Sequence, residues 1–228
     1  MRPGIRHSKK PLYSQPVTRH PSRVTAVVLA AGAGVRMGRQ KLLLAFRGKP
    51  LLAWTLDLVE GLPVERRLIL LGSHADTILK EIFCLPSPVS ATRHASLVTR
   101  HGTPWGVLVN GGWEEGMGSS LRLAAQHVDE GGMLVFLGDM PLVPREAALA
   151  VLSRAGDRPV APSYRGRRGF PIYLPPGLRP QLLELRGDIG ARDLVKEDCD
   201  LIPIDDHGVI FDIDTHHDLS SQVSLGDR

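Results

Sequence analysis

Residues 24–41 read VTAVVLAAGAGVRMGRQK, and the architecture follows from them. Val24–Ala30 is a continuous run of apolar and β-branched residues, the pattern of a strand buried on both faces of a parallel sheet. Gly32, Gly34 and Gly38 follow at once. Glycines let the backbone turn sharply and bring bare N–H groups against anionic oxygens. Arg36 and Lys41 add two cations to the same short loop, so strand and loop together read as a seat for a triphosphate. The spacing is not G-x-x-x-x-G-K-[ST], because three residues separate Gly34 from Gly38 and Lys41 follows without Ser or Thr. Nor is it G-x-G-x-x-G, because the third glycine falls one place late, and no acid stands near position 50 to hold a dinucleotide ribose. The plain alternative is a tight glycine turn between a strand and a helix.

Beyond this stretch, short β-branched runs alternate with helical patterns, the signature of βα units and a largely parallel sheet. Pro50 opens a predicted helix carried by Leu51, Leu52, Trp54, Thr55, Leu58 and Val59. Leu68–Leu71 reads as a strand and His74–Phe83 as a helix. Residues 85–105 hold three prolines and read as an irregular insertion with a strand near Ser96–Thr99. A strand over Val107–Val109, a helix over Met117–Val128 and an interior strand over Met133–Leu137 follow. Further on come a helix over Arg145–Arg154, strands near Pro159–Ala161 and Gly169–Leu174, and helices over Leu178–Leu185 and Ala191–Lys196. A strand pair near Leu201–Ile204 and Val209–Phe211 precedes a terminal helix from about Asp214. No repeat or second core is visible, so residues 24–228 read as one α/β domain.

The net charge of +4 is unevenly distributed. Residues 1–23 carry six of the 28 basic residues and no acid, which leaves 22 basic against 24 acidic residues in the remainder. The globular part therefore lacks the footprint of a nucleic-acid binder. Residues 1–23 read as a disordered basic leader: four prolines interrupt them and no apolar core of a signal peptide is present. No apolar run approaches the ~18 residues a membrane helix needs. Cys84 and Cys199 have no CxxC or Cys/His partners and read as reduced thiols, the usage of a cytoplasmic protein.

Asp139 follows the apolar run Met133–Leu137, at the strand end where open α/β sheets place ligand groups. A cation bridging phosphates needs one or two such carboxylates with positions left for water and substrate oxygens. A second source is Phe211–Leu219, FDIDTHHDL, where Asp212 and Asp214 share a side if the chain is extended. Asp214 also reads simply as a helix N-cap, and Asp218 as a first-turn residue. His216 and His217 lack zinc spacing.

The chain resembles the MobA-like NTP-transferase superfamily, and within it the molybdenum cofactor cytidylyltransferases. The resemblance covers residues 24–220 through LAAGAGVRMGRQKLLLAFRGKPLL (29–52), NGGWEEGMGSSL (110–121), LGDMPLV (137–143), YRGRRGFPIYL (164–174) with LRGDIGARDLV (185–195), and FDIDTHHDL (211–219). It implies a Rossmann-like three-layer domain of the nucleotide-diphospho-sugar transferase type, with a mostly parallel sheet and a short antiparallel arm. It also implies that Gly32, Gly34, Arg36, Gly38 and Lys41 cradle a triphosphate, that Ala30 and Ala31 line the base, and that Asn110 and Gly116 with Ser119 and Ser120 complete the nucleotide pocket. Asp139 and Asp214 would hold Mg²⁺. Arg168, Gly169, Asp188 and Arg192 would line the acceptor side.

The LAAG form goes with cytidine in these families. The implied reaction is transfer of CMP from CTP to the phosphate of molybdopterin-Mo cofactor with release of pyrophosphate, followed by handover to a molybdoenzyme or its chaperone. Three departures stand out: Phe170 in place of the usual His, His216-His217 in place of Pro-Glu, and the long insertion at 85–105. Other readings are guanylyl transfer from GTP, transfer to a sugar phosphate, methylerythritol phosphate or phospholactate, and a non-catalytic nucleotide-binding regulator. A dinucleotide-dependent oxidoreductase is disfavoured by the glycine spacing.

Overall fold

The computed structural model describes residues 23–32, 34, 40–84, 96–128, 130–196, 198–215 and 218. The expected leader, apart from Arg23, and residues 85–95 of the insertion lie outside them. Along the chain run β1 (Val24–Ala30), β2 (Ala45–Phe46), β3 (Lys49–Pro50), α1 (Leu51–Glu60), β4 (Arg66–Leu71), α2 (Ala75–Phe83), β5 (Ser96–Arg100) and β6 (Thr103–Val109). These are followed by α3 (Met117–His127), β7 (Gly132–Leu137), α4 (Arg145–Ser153), β8 (Val160–Tyr164), β9 (Arg167–Arg168), β10 (Ile172–Leu174), α5 (Arg179–Leu183), α6 (Ala191–Leu194) and β11 (Asp200–Pro203).

The main sheet has the order β11-β8-β10-β7-β1-β4-β6-β5, with β9 paired to β8. Its centre is parallel: β7 and β4 flank β1, and β6 lies beside β4. The antiparallel β10 joins β7 to β8. All seven residues of β1 are buried, and their alternation sorts them between two cores. Val24, Ala26, Val28 and Ala30 face one cluster, with Leu52 and Leu56 of α1, Ile78 of α2 and Val151 of α4. Val27 and Leu29 face the other, with Leu121 and Ala124 of α3, Leu182 of α5 and Ala191 of α6. Period-two alternation in a central strand thus makes a three-layer α/β/α fold. Each of the Val, Leu and Ile side chains removed from water contributes about 1.5–3 kcal/mol.

Two expectations are corrected. The part of the insertion that is described is not irregular, because β5 and β6 form an antiparallel hairpin. His101 and Gly102 turn it with φ of 48° and 81°, the positive-φ pair that a two-residue hairpin loop requires. Pro104 obscured this in the sequence, yet it is tolerated because the pairing of β6 with β4 begins only at Gly106. The expected strand at Val209–Phe211 is instead a 3₁₀ turn over His207–Val209, where the Asp206 carboxylate accepts from the Gly208 N–H at 2.7 Å. Such an Asx turn bends the chain out of a ladder.

Trp105 anchors the hairpin. It is fully buried, meets Phe83 edge-to-face with ring centroids 6.4 Å apart, and donates to Glu60 Oε1 at 3.0 Å. Trp105→Ala is expected to cost about 3–5 kcal/mol in urea unfolding. Ligand affinity measured where the variant is folded should stay at the wild-type value, since Trp105 is remote from the cleft described next.

Candidate active site

β1 and β7 are parallel neighbours in register, Leu29 opposite Leu137, so the loops after them leave the same edge of the sheet. β6 delivers a third connection, through the turn to α3, at the same edge. Between these loops lies a cavity of about 530 Å³. Of the sequence candidates, Ala30, Ala31, Gly32, Gly34, Lys41, Gly116, Ser120, Asp139, Asp188 and Asp214 line it. Arg36 and Gly38, like His216 and His217, lie outside the described residues.

Three distant segments meet at one cation. The Lys41 ammonium donates to Asp139 Oδ2 at 2.9 Å and to Asp214 Oδ1 at 2.7 Å. Burial disfavours the charge on Lys41, but the two carboxylates outweigh it and hold the ammonium above the usual lysine range. Asp212 stands nearby. Burial, then the charges of Asp214 and Asp139, push its carboxyl above the usual range.

Ile213 explains how Asp214 is delivered. Its side chain is fully buried against Phe46 and Leu51, next to the short hairpin that follows Lys41. Its N–H donates to the Asp139 carbonyl at 3.1 Å. Ile213 is turned inward, whereas Asp212 and Asp214 on either side of it are exposed. Thr215, and not the Asp214 side chain, makes the reciprocal bonds with Asp218. Thr215 Oγ1 accepts from the Asp218 N–H at 3.2 Å, and Asp218 Oδ2 accepts from the Thr215 N–H at 2.8 Å. The Asp214 carboxylate is thereby left for Lys41.

Several candidates shape the cleft from behind. Asn110 is buried and outside the cavity lining; its amide donates to Ser119 Oγ at 2.7 Å and Ser120 Oγ at 3.0 Å, tying the end of β6 to α3. Gly116 has φ 103°, and a Cβ there would lie 2.8 Å from Asp188 Cα, so the 185–190 loop can close on α3 only over glycine. Asp188 accepts from the Met117 N–H at 3.2 Å. Arg168 donates to the carbonyls of Arg192 and Lys196, each at 2.9 Å, and Gly169 lies flush against Val209 O. Arg192 lies 4.8 Å over the buried ring of Phe170. Burial lowers the Arg192 pKa, and Asp212 is its main opposing charge. Of the four acceptor-side candidates, Asp188 alone reaches the cavity. The lining also includes Trp113, Glu114 and Met117, from the same NGGWEEGMGSSL block that supplied Gly116, Ser119 and Ser120. Sequence reasoning missed these three; an aromatic–acid pair just before a helix N-terminus is the signal that could have found Trp113 and Glu114.

Hard oxygen donors converging on one cation suit a divalent metal, and the place held by the Lys41 ammonium shows that the pair accepts positive charge. A second cluster, Asp57, Glu60 and His101, is already neutralised: Arg100 lies 2.7 Å from Asp57 and 2.9 Å from Glu60, and Lys49 also pairs with Asp57.

An ammonium held between two carboxylates, beside glycines at the carboxyl edge of parallel strands, suits phosphoryl chemistry, and the chain is a nucleotidyltransferase. A family model for the MobA-like NTP transferase domain matches residues 26–202, and the chain belongs to that family. It is similar to nicotine blue oxidoreductase of Paenarthrobacter nicotinovorans, 34% identical over 208 residues that cover 84% of this chain and 92% of the relative. Among solved structures, the Rv0371c homologue from Mycobacterium sp. strain JC1 is 29% identical with a TM-score of 0.70, covering 90% of this chain and 98% of that one. The fold is shared with the Rv0371C complex with manganese from Mycobacterium tuberculosis H37Rv, at 23% identity and a TM-score of 0.66, covering 89% and 99%. No helix among the described residues is long and apolar enough to cross a membrane.

Ile213→Ala is expected to cost about 2–5 kcal/mol in urea unfolding. Because it loosens Asp214, it should also weaken Mn²⁺ binding measured by electron paramagnetic resonance, with Ile213→Val affected far less.

Proposed function

We propose that the protein transfers CMP from CTP to the phosphate of molybdopterin-Mo cofactor and releases pyrophosphate. The observation that carries this reading is the Lys41 ammonium held between Asp139 and Asp214 beside the glycine-rich turn. In the proposed reaction the acceptor phosphate oxygen attacks the α-phosphorus of CTP, and the bond to the bridging oxygen of pyrophosphate breaks. No general base is needed, because the attacking phosphate is already anionic. Gly32 and Gly34 leave backbone donors bare for the phosphate oxygens. Lys41, with Arg36, would follow the departing pyrophosphate and neutralise it. Asp139 and Asp214 are the residues that would hold Mg²⁺, which supplies charge neutralisation at the phosphates. A protein that shares this fold has been solved as a complex with manganese.

CTP as donor rests on the Ala30-Ala31-Gly32 sequence in the cavity lining. The acceptor rests on the 164–174 and 185–195 blocks, where Arg192, stacked on Phe170, would meet the acceptor's anionic group.

A second reading comes from the 34% identity to a protein named as an oxidoreductase. A strongly cation-attracting carboxylate pair favours phosphoryl transfer, and one assay separates the two. Purified protein is incubated with Mg²⁺, molybdopterin-Mo cofactor and CTP, GTP or ATP in turn, and pyrophosphate is measured. The expected result is release with CTP that requires the acceptor and falls about a hundredfold or more in Asp139→Asn. Oxidation of a reduced nicotinamide dinucleotide with no pyrophosphate from any nucleotide would establish the second reading instead.

A further inference from the structure

The cavity is lined by four carboxylates, and they are differently engaged. Asp139 and Asp214 are committed to Lys41, and Asp188 to the Met117 N–H. Glu115, next along the chain, is paired with Arg122 at 2.8 Å. Glu114 makes no hydrogen bond or ion pair with any described residue, yet lines the cavity beside Trp113.

Its place in the fold separates it from the phosphate seat. The order β7-β1-β4-β6 puts the connection after β6, which carries Glu114, three strand spacings from the β7 end that carries Asp139. At about 4.8 Å per strand that is about 14 Å, and about 10 Å from the glycine turn after β1. The anion position at the start of α3 is already filled by the Asp188 carboxylate. A triphosphate approaching Glu114 and Asp188 would be repelled, whereas one lying between the glycine turn and Lys41 meets positive charge. The nucleotide is therefore oriented with its phosphates over β1 and β7 and its uncharged nucleoside toward β6. The exposed Glu114 carboxylate has no donor among the described residues, and a nucleoside offers two kinds: the exocyclic amino group of the base and the ribose hydroxyls.

We infer that Glu114 is a specificity-determining residue, its carboxylate accepting a hydrogen bond from an N–H or O–H of the nucleoside. The inference rests on the nucleotide-donor reading above and names the residue that would discriminate within it. A base with oxygen in place of the amino group would face the carboxylate with a second acceptor and be rejected. This gives selection by an unpaired polar group, which discriminates better than apolar contact.

The test is isothermal titration of the full chain with Mg²⁺ and no acceptor, using CTP against UTP and GTP against ITP, pairs that differ by the amino group. CTP against 2′-deoxy-CTP and GTP against 2′-deoxy-GTP report on the hydroxyl. Glu114→Gln keeps the shape of the side chain, and pyrophosphate binding serves as the control for the phosphate end. The expected result is that the wild type prefers one member of a pair by about tenfold or more, and that Glu114→Gln loses that preference with pyrophosphate affinity unchanged. Wild-type preferences that persist in the variant would overturn the role of Glu114 while leaving the nucleotide site standing. A wild-type protein that binds pyrophosphate but none of the nucleotides would overturn the donor reading and this assignment with it.

Discussion

The ammonium of Lys41, shared between Asp139 and Asp214, is the contact on which the rest of the cleft depends. Its three members come from the loop after β1, the loop after β7 and a segment near the C-terminal end of the described chain. Lys41 is largely buried, so removing either carboxylate would leave a charge poorly solvated and poorly paired. The surrounding structure is arranged to prevent that. Parallel pairing aligns the ends of β1 and β7, the Asp139 carbonyl holds the Ile213 N–H, and the Ile213 side chain is wedged against the hairpin following Lys41. One apolar residue thus touches the neighbourhood of all three charged ones.

The opposite wall is built on different physics. There glycine permits contact that any side chain would block: the 185–190 loop lies on Gly116 and Gly118, and Asp188 occupies the start of α3. Asn110 locks that wall to β6 through two serine hydroxyls. The cleft is consequently polarised, with the Lys41 ammonium at one end and, at the other, Asp188 and Glu114, which pair with no cation among the described residues. A nucleotide, anionic at one end and rich in neutral donors at the other, is a ligand of matching polarity.

Much of this was legible in the sequence, and the reasons are local. Val24–Ala30 announced a central strand because it is buried on both faces, and Asp139 stood out because it follows an apolar strand directly. What the sequence hid were features set by tertiary contact. Period and composition do not distinguish Asp214 as a helix cap from Asp214 as a partner of Lys41; the reciprocal Thr215–Asp218 pair decides it. Arg168 and Gly169 sit in a block resembling an acceptor site, yet Arg168 spends its guanidinium on two carbonyls and Gly169 is pressed against Val209. The β5–β6 hairpin escaped because His101-Gly102 is an uncommon turn pair and Pro104 suggests a break.

The central claim is that Asp139 and Asp214 act on one cation as a unit, and a double-mutant cycle on pyrophosphate release tests it directly. Rates are compared for wild type, Asp139→Asn, Asp214→Asn and the double variant, each shown to be folded. Groups acting as a unit give strongly non-additive losses, so the double variant should be little slower than the more damaged single one. Losses that multiply in the double variant would contradict the account, because they would mean that the two carboxylates contribute independently.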